Sequence, residues 1–415
     1  MNQAQVAAPD QDEHVSFRRL VSVGMGTKFV IDICFQLFTP FLPIFAAGFG
    51  VNILTMGRLL SLLNGVGITA PIFSMLAARH GYRAMLRLAI LFSLVGILFL
   101  ALTSQFWMTI VGISLLGIGL AAFAPMLHAY LSQKISYAQR ARGIGIVEFS
   151  WALSSIVGLS LIGQLIAWTN WRVPLFVLAG GLVVAWGAYG ILPSDRPNGT
   201  VVKEASSRGL KRENWQVQLQ QAWAYFFFAN KTRAVWGAIL VYALNYFGML
   251  HVIIVHSVWL TEEYGLDAKL LGLVALVIGL ADLGGSGLVS LVSDRLGKRK
   301  SIILGTVGSL LVYLTLPLFN INIFTVIVSL VLLRLTFEFS LVSNLPLLSE
   351  IVPDQRGKVL TLNVVVSLMS GIVVGFSGPW AYTTYGVWGL GPVSAIAVLL
   401  SLFLLWRWVE EVRSV

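Results

Sequence analysis

Runs of roughly 20 mostly apolar residues recur from one end of the chain to the other, and that is the length an α-helix needs to cross the hydrocarbon layer of a membrane. No water inside that layer can satisfy a peptide group, so each run must close its own backbone hydrogen bonds as a helix. Twelve spans are predicted, at about 22–48, 57–78, 84–103, 107–131, 144–168 and 173–192, then 234–259, 269–293, 301–319, 322–348, 358–382 and 388–408. Composition agrees. Of 415 residues 57% are hydrophobic and 11% charged, less than half the roughly 25% charge of a soluble domain. The chain reads as an all-α integral membrane protein.

The formal charge of +10 comes from 28 Lys and Arg against 18 Asp and Glu. The cations sit in short gaps between apolar runs, as membrane orientation requires, so nucleic acid is not an expected partner. Arg79, Arg83 and Arg87 fall between the second and third spans, and Lys134, Arg140 and Arg142 between the fourth and fifth. Arg295, Lys298, Arg299 and Lys300 join the eighth to the ninth. Alternate loops carry little beyond Arg172, Lys269 and the acids Glu262, Glu263 and Asp267. That bias places both termini and the central loop in the cytoplasm. The single cysteine, Cys34, excludes an intramolecular disulfide or a Cys-cluster metal site. The polar stretch from Met1 to His14 lacks an apolar core, so no cleaved signal peptide is expected.

Two loops repeat in one register. Ala78-Arg79-His80-Gly81-Tyr82-Arg83 aligns with Asp294-Arg295-Leu296-Gly297-Lys298-Arg299, and 297 − 81 is 216. Ile135-Ser136-Tyr137-Ala138-Gln139-Arg140 aligns with Ile351-Val352-Pro353-Asp354-Gln355-Arg356, and 351 − 135 is again 216. The expected organisation is an N-terminal tail over 1–21, a six-helix half over 22–192, a cytoplasmic linker over 193–233, a second half over 234–408 and a tail over 409–415. Parallel six-span halves around a midplane site are a secondary-transporter architecture. Within the linker, Trp215 to Phe228 mixes polar, apolar and aromatic residues in the manner of a helix lying on the inner interface.

The segment Asp294-Arg295-Leu296-Gly297-Lys298-Arg299-Lys300 resembles the D-R-x-G-R-[RK] loop signature of the major facilitator superfamily. Span count, orientation and repeat extend the resemblance over essentially the whole chain, and within the superfamily it is most similar to bacterial drug- and sugar-efflux permeases. Gly297 permits a tight turn, the three cations hold the loop at the anionic leaflet, and Asp294 can pair with an Arg or cap a helix. The resemblance implies a cytoplasmic gate made of Asp294, Arg295, Gly297, Lys298 and Arg299 that latches while the outer side is open. The N-terminal copy departs from the pattern at Ala78 and Tyr82, and the span-four Arg of many efflux members is replaced by Ile113.

An ionisable side chain at bilayer depth costs roughly 2.5–3.5 kcal/mol on insertion scales, which makes each one a functional candidate. Lys28, Asp32 and Gln36 are spaced by four in the first span, and Arg334 and Glu338 by four in the tenth. Each charged pair reads equally well as a functional group or as mutual neutralisation. Asp282, in the eighth span, has no partner at helical spacing. Glu148 lies near the cytoplasmic end of the fifth span, which favours a structural role. His251 and His256 read as hydrogen-bonded helix residues towards the outer mouth. His128, Asn245 and Asn363 complete the set of candidate substrate or proton groups. The resemblance implies that spans one, four, seven and ten line a central cavity, with Asp32 and Glu338 facing each other across it.

The expected function is secondary active transport of a small organic solute by alternating access in the bacterial cytoplasmic membrane, with efflux coupled to protons. No Walker-type loop, nucleophile–base pair or metal cluster is evident, so neither an enzyme nor a cofactor is expected. The expected partners are a small-molecule substrate, protons and the lipid bilayer, with the chain acting as a monomer. Uptake of a polar metabolite and a non-transporting scaffold are the alternatives.

Overall fold

The computed structural model describes residues 16–193, 195, 226–228 and 231–409, which are helical with no strand among them. The first half holds α1 (Phe17–Gln36), α2 (Leu42–Gly48) and α3 (Ile53–Gly65), the last passing through a 3-10 turn into α4 (Ala70–His80). It continues with α5 (Tyr82–Ala101), α6 (Phe106–Lys134), α7 (Tyr137–Glu148), α8 (Ser150–Leu153), a π-helical turn at Ser154–Leu159, α9 (Ser160–Trp168) and α10 (Val173–Ile191). The second half holds α11 (Thr232–Ile253), α12 (His256–Tyr264), α13 (Ala268–Leu296), α14 (Lys298–Thr315), α15 (Ile323–Ile351), α16 (Arg356–Tyr385) and α17 (Val387–Trp408).

Ten helical runs among the described residues are long and apolar enough to cross a membrane. Two long helices fall outside that set. The run expected at 22–48 is interrupted: α1 carries Lys28 and Asp32, ends at Gln36 and gives way to a turn at 37–41 before α2. α14 spans 18 residues and opens on Lys298, Arg299 and Lys300. The interfacial segment expected at 215–228 lies outside the described residues except for Phe226–Phe228, as do most of the linker, residues 1–15 and residues 410–415.

Helix starts follow local chemistry. Asn52 accepts from the Thr55 amide at 2.8 Å, Asp267 from the Leu270 amide at 2.9 Å, and Asn322 forms a reciprocal capping box with Thr325. These caps all stand at the end of the molecule opposite the Arg- and Lys-rich loops. At the basic end, Gly81 and Gly297 stop their helices with φ of +87° and +85°, a region that a Cβ disfavours.

The sequence repeat is a structural repeat. Arg83 donates through Nε to the Tyr189 carbonyl at 2.7 Å and through Nη2 to the Gly190 carbonyl at 2.5 Å. Arg299 donates through Nη2 to the Leu405 and Trp406 carbonyls, each at 3.3 Å. Each offset is 216: 299 − 83, 405 − 189 and 406 − 190. In both halves the loop arginine thus ties off the bare carbonyls at the C-terminus of that half's last long helix, favourable for a cation at the negative end of the helix dipole. Replacing Arg83 or Arg299 with Met is expected to cost about 1–2 kcal/mol each, as a lower thermal unfolding midpoint in detergent, since charged hydrogen bonds are lost without disturbing a core.

The two halves meet from the non-basic end to mid-depth. Ser257 Oγ donates to the Thr39 carbonyl and Ser61 Oγ to the Ile372 carbonyl, both at 2.7 Å. Small residues let backbones touch along two seams. A Cβ on Gly163 would stand 2.5 Å from the Ala268 oxygen, and one on Gly57 would strike the Gly375 carbonyl and stand 2.5 Å from the Pro379 ring. Further towards the basic end on the same helix paths, Gly145 and Gly287 have no heavy atom within 4 Å of a Cβ, and Met75 and Val364 are exposed. The halves are closed at one end and apart at the other.

Candidate functional site

A cavity of about 550 Å³ lies between the halves. Its wall is built from one face each of α1, α6, α11, α13 and α15, with the α7–α8 junction and the π-helical turn completing the N-terminal side. On α11 the facing residues are Tyr242, Tyr246, Met249, Leu250 and Ile253, which recur at three- and four-residue spacing as one stripe of a helix must. No residue of α3 or α16 takes part. That volume lies within the range of small-molecule sites.

The N-terminal wall is a closed polar network. Lys28 Nζ donates to Asp32 at 3.0 Å and lies 3.4 Å from Glu148. Asp32 also accepts from Ser150 Oγ at 2.6 Å, and Glu148 accepts from His128 Nε2 at 2.5 Å. Gln36 donates to Ser154 Oγ at 2.7 Å and accepts from Ser155 Oγ at 2.5 Å. The π-helical turn brings those two serines to it, a backbone irregularity of the kind that recurs at functional sites. Lys28 and Asp32 are 4% and 5% exposed, so this pair is sealed in protein.

On the C-terminal wall Arg334 reaches across to α13, not along its own helix. Its Nε and Nη2 grip both Asp282 oxygens at 2.8 and 2.5 Å, a planar two-point pairing. Its remaining Nη1 meets only Met249 Sδ at 2.8 Å, and its guanidinium lies 5.5 Å from the Phe337 ring centre. Glu338, one turn further on, accepts from Ser286 Oγ at 3.0 Å, and no cation pairs with it among the described residues. The cavity therefore holds two fixed cations, Lys28 and Arg334, against four carboxylates, Asp32, Glu148, Asp282 and Glu338. With histidines neutral, 2 − 4 gives a formal charge of −2.

Asp32, Gln36, His128, Asp282, Arg334 and Glu338 all line this cavity. Asn245 and Asn363 do not. Asn245 donates to the Val241 carbonyl and to Ser401 Oγ at 2.9 Å, tying α11 to α17 on the face turned from the cavity. Asn363 is 4% exposed in α16 and stands apart from the cavity. Glu148, expected to be structural, and His256, expected at the rim, both line the cavity. His251 is buried outside it, with Ser377 at 3.2 Å from Nδ1. Trp151, Ser155 and Tyr242 were not singled out, although their spacing along the cavity-facing stripes is legible once one residue of each stripe is known.

The loop signature is anchored within the C-terminal half. Lys298 pairs with Glu350 at the end of α15, Arg299 ties to α17, and Arg295 is exposed. Asp294 falls near the end of α13, and its side chain lies outside the described residues. In the N-terminal half, where Ala78 replaces the signature acid, Asp195 accepts from the Tyr82 and Arg83 amides and caps the first turn of α5.

The family model described as Major Facilitator Superfamily matches residues 25–249 and 238–415, nearly the entire chain. The chain belongs to the major facilitator superfamily. It is similar to the uncharacterized MFS-type transporter YwfA of Bacillus subtilis (strain 168), 23% identical over 377 residues that cover 88% of this chain and 86% of that protein. The transporter YceJ of the same organism is 25% identical over 262 residues, covering 63% of this chain and 62% of YceJ, less than two thirds of its length. A putative tartrate transporter of Agrobacterium vitis is 25% identical over 312 residues, with 69% of this chain and 70% of that protein covered. In fold the superfamily member resembles the crystal structure of a D-xylose–proton symporter, with a TM-score of 0.72, 16% identity and coverage of 95% and 98% of the two chains. The superfamily and these relatives are transporters, not enzymes. This chain is accordingly a multi-pass membrane transport protein for small molecules.

Proposed function

We propose that this chain is a proton-coupled exporter of small organic solutes, working by alternating access of its two halves in the bacterial cytoplasmic membrane as a monomer. α1 with α2, and α14, supply the eleventh and twelfth spans beside the ten that hydropathy alone marks. The Arg- and Lys-rich end then faces the cytoplasm with both termini. The cavity is open to the cytoplasm and shut towards the outside by the Thr39–Ser257 and Ser61–Ile372 contacts. In the outward-open state the gate residues Asp294, Arg295, Gly297, Lys298 and Arg299 would latch the cytoplasmic side.

The observation that carries the reading is Glu338, a carboxylate inside the cavity with a hydroxyl for partner and no paired cation. An ionised carboxylate at that depth is costly unless a cation or a proton joins it. Proton and solute can therefore exclude one another at the same group, which is what exchange requires. Arg334, locked to Asp282, sets the field at Glu338, and Asp32 is the corresponding carboxylate of the other half. An organic acid like the cargo in one relative's name fits less well, because both cavity cations are already matched by carboxylates.

The test is accumulation of a panel of dyes and drugs in an efflux-deficient bacterial host. Wild type is expected to lower accumulation, and the effect to vanish with Glu338→Gln at matched expression and on collapse of the proton gradient. Equal accumulation with and without the protein across the panel would sink export. Higher accumulation with wild type would reverse the direction to uptake.

A further inference from the structure

The two walls of the cavity differ in what they leave open. On the N-terminal wall the charged groups and Gln36 are engaged: Lys28 by Asp32 and Glu148, Glu148 also by His128, and Gln36 by Ser154 and Ser155. Three groups on the C-terminal wall are not. Glu338 holds only the Ser286 hydroxyl. Arg334 turns Nη1 to a thioether, a weak acceptor. His256 is 2% exposed, and its Nδ1 sits 2.5 Å from the Ile253 carbonyl. A carbonyl can only accept, so Nδ1 carries the hydrogen and the neutral ring offers Nε2 as an acceptor. That buried nitrogen has no partner among the described residues.

An unmatched buried acceptor is costly, and a ligand donor placed on it removes the cost. His256 and Arg334 both line the cavity, and Glu338 is one helical turn beyond Arg334. The wall thus holds an unmatched acceptor, a weakly matched donor and an anion. A hydroxyl group matches the first, donating to His256 Nε2. An ammonium satisfies the third and offsets part of the formal −2 of the cavity. The opposite wall offers rings, with Phe35, Phe123 and Trp151 among its lining.

We infer that the cargo is an amino-alcohol cation on an aromatic or alicyclic body, bound with its hydroxyl on His256, its ammonium on Glu338 and its apolar body against the N-terminal wall. His256 is then a specificity-determining residue that selects the hydroxyl. This inference rests on the carrier reading above, since it describes what the carrier's cavity holds.

The test is calorimetric binding to the purified full chain in nanodiscs, with three probes of one ring system: 2-amino-1-(2-naphthyl)ethanol, its deoxy analogue 2-(2-naphthyl)ethylamine, and 2-naphthylacetate. Wild type is expected to bind the amino alcohol about tenfold more tightly than the deoxy amine, the worth of one matched buried hydrogen bond, and the carboxylate not measurably. His256→Leu should bring that ratio close to one, and His256→Gln, which retains an acceptor, should restore part of it. Glu338→Gln should weaken both amines. Variants that fail to elute as a monodisperse peak are replaced by His256→Gln and His256→Asn, whose ratios are read in the same way. Tighter binding of naphthylacetate, a hydroxyl preference that survives His256→Leu, or no binding of either amine would overturn the inference. Those outcomes combined with Glu338-dependent dye export would leave the carrier reading standing, whereas amine binding without any Glu338-dependent export would sink the carrier reading alone.

Discussion

Asp282→Ala is expected to destabilise this transporter by about 3–5 kcal/mol, the range for uncovering one partner of a buried ion pair. Arg334 and Asp282 side chains are 11% and 8% exposed, and two of the guanidinium nitrogens rest on that one carboxylate. Removing the acid strands a cation between helices, while removing both charges does not. Arg334→Met combined with Asp282→Ala should therefore recover most of the loss, because an apolar pair of similar size has no charge to desolvate. Glu338 adds a further twist. It stands one turn from Arg334 with only a hydroxyl bound, so it is the substitute partner within reach when Asp282 is lost. Asp282→Ala and Glu338→Gln together should cost more than the sum of the two, a coupling of about 0.5–3 kcal/mol for residues that share a network. The measurement is the fraction of monodisperse protein surviving a heat step in detergent, for all members of the cycle. A double variant no more stable than Asp282→Ala would show that the pair does not act as a unit. Export by the double variant at wild-type level would show that it serves packing alone.

The helical framework was legible because it is dictated by local rules. A run of apolar residues of spanning length has only helix available to it in lipid, and the 216-residue offset needs no partner information to be seen. Gly81 and Gly297 sit at matching positive φ because each must reverse the chain between two long helices, which the shared Gly in both loops announces. What failed was the first span, where Lys28, Asp32 and Gln36 place polar groups on one face and the chain breaks into α1 and α2. An apolar count cannot see that break, since apart from Thr39 the residues at 37–45 are apolar, and its local signal is Pro40 and Pro43, which have no amide hydrogen to donate.

The site was legible in residue types and in one of its two expected pairings, since Lys28 does take Asp32 four positions on. Arg334 and Glu338 share a helix at a spacing that invites an ion pair, yet Arg334 takes Asp282, 52 positions away. A guanidinium grips a carboxylate best in plane with both oxygens, and the facing helix supplies that geometry where the next turn of the same helix does not. Helix rotation sorted the asparagines. Asn245 is adjacent to Tyr246, but one residue is about 100° of rotation, which turns Asn245 towards Ser401 and Tyr246 into the cavity. The sequence places His256 towards the outer mouth because it falls close to the predicted end of its span at 259. The turn between α11 and α12 instead sets it over the cavity, with its Nδ1 held by Ile253.

A second large effect is expected at the seam between the halves, where Gly57→Leu should prevent closure of the non-basic end. The Gly57 Cβ position is occupied by the Gly375 carbonyl and the Pro379 ring, and a backbone carbonyl on one side with a ring closed onto its own backbone on the other leaves no flexible side chain to swing away. Overpacking of this kind costs about 1–3 kcal/mol wherever the helices stay together. In the alternating-access function proposed above the closed seam is one of two states, so the strain need not unfold the protein. It raises the energy of the state that contains the contact, and every 1.4 kcal/mol shifts the populations about tenfold. The half–half seam between Gly163 and Gly272 is separate and remains intact, so the halves should part by rocking on that side. The chain has a single cysteine, Cys34, which is buried, so a reporter can be placed against a quiet background. Thr39, whose carbonyl holds Ser257 across the closed end, is the position to use. In a Cys34→Ala background, a Thr39→Cys reporter should react with an impermeant maleimide about tenfold faster in Gly57→Leu than with Gly57 retained, for a strain of about 1.4 kcal/mol, towards the low end of that range. Transport should fall with it, because a carrier that cannot close one end cannot exchange its cargo. Unchanged labelling with transport intact would mean that the seam gives way locally, and that the glycine contact does not govern which end is open.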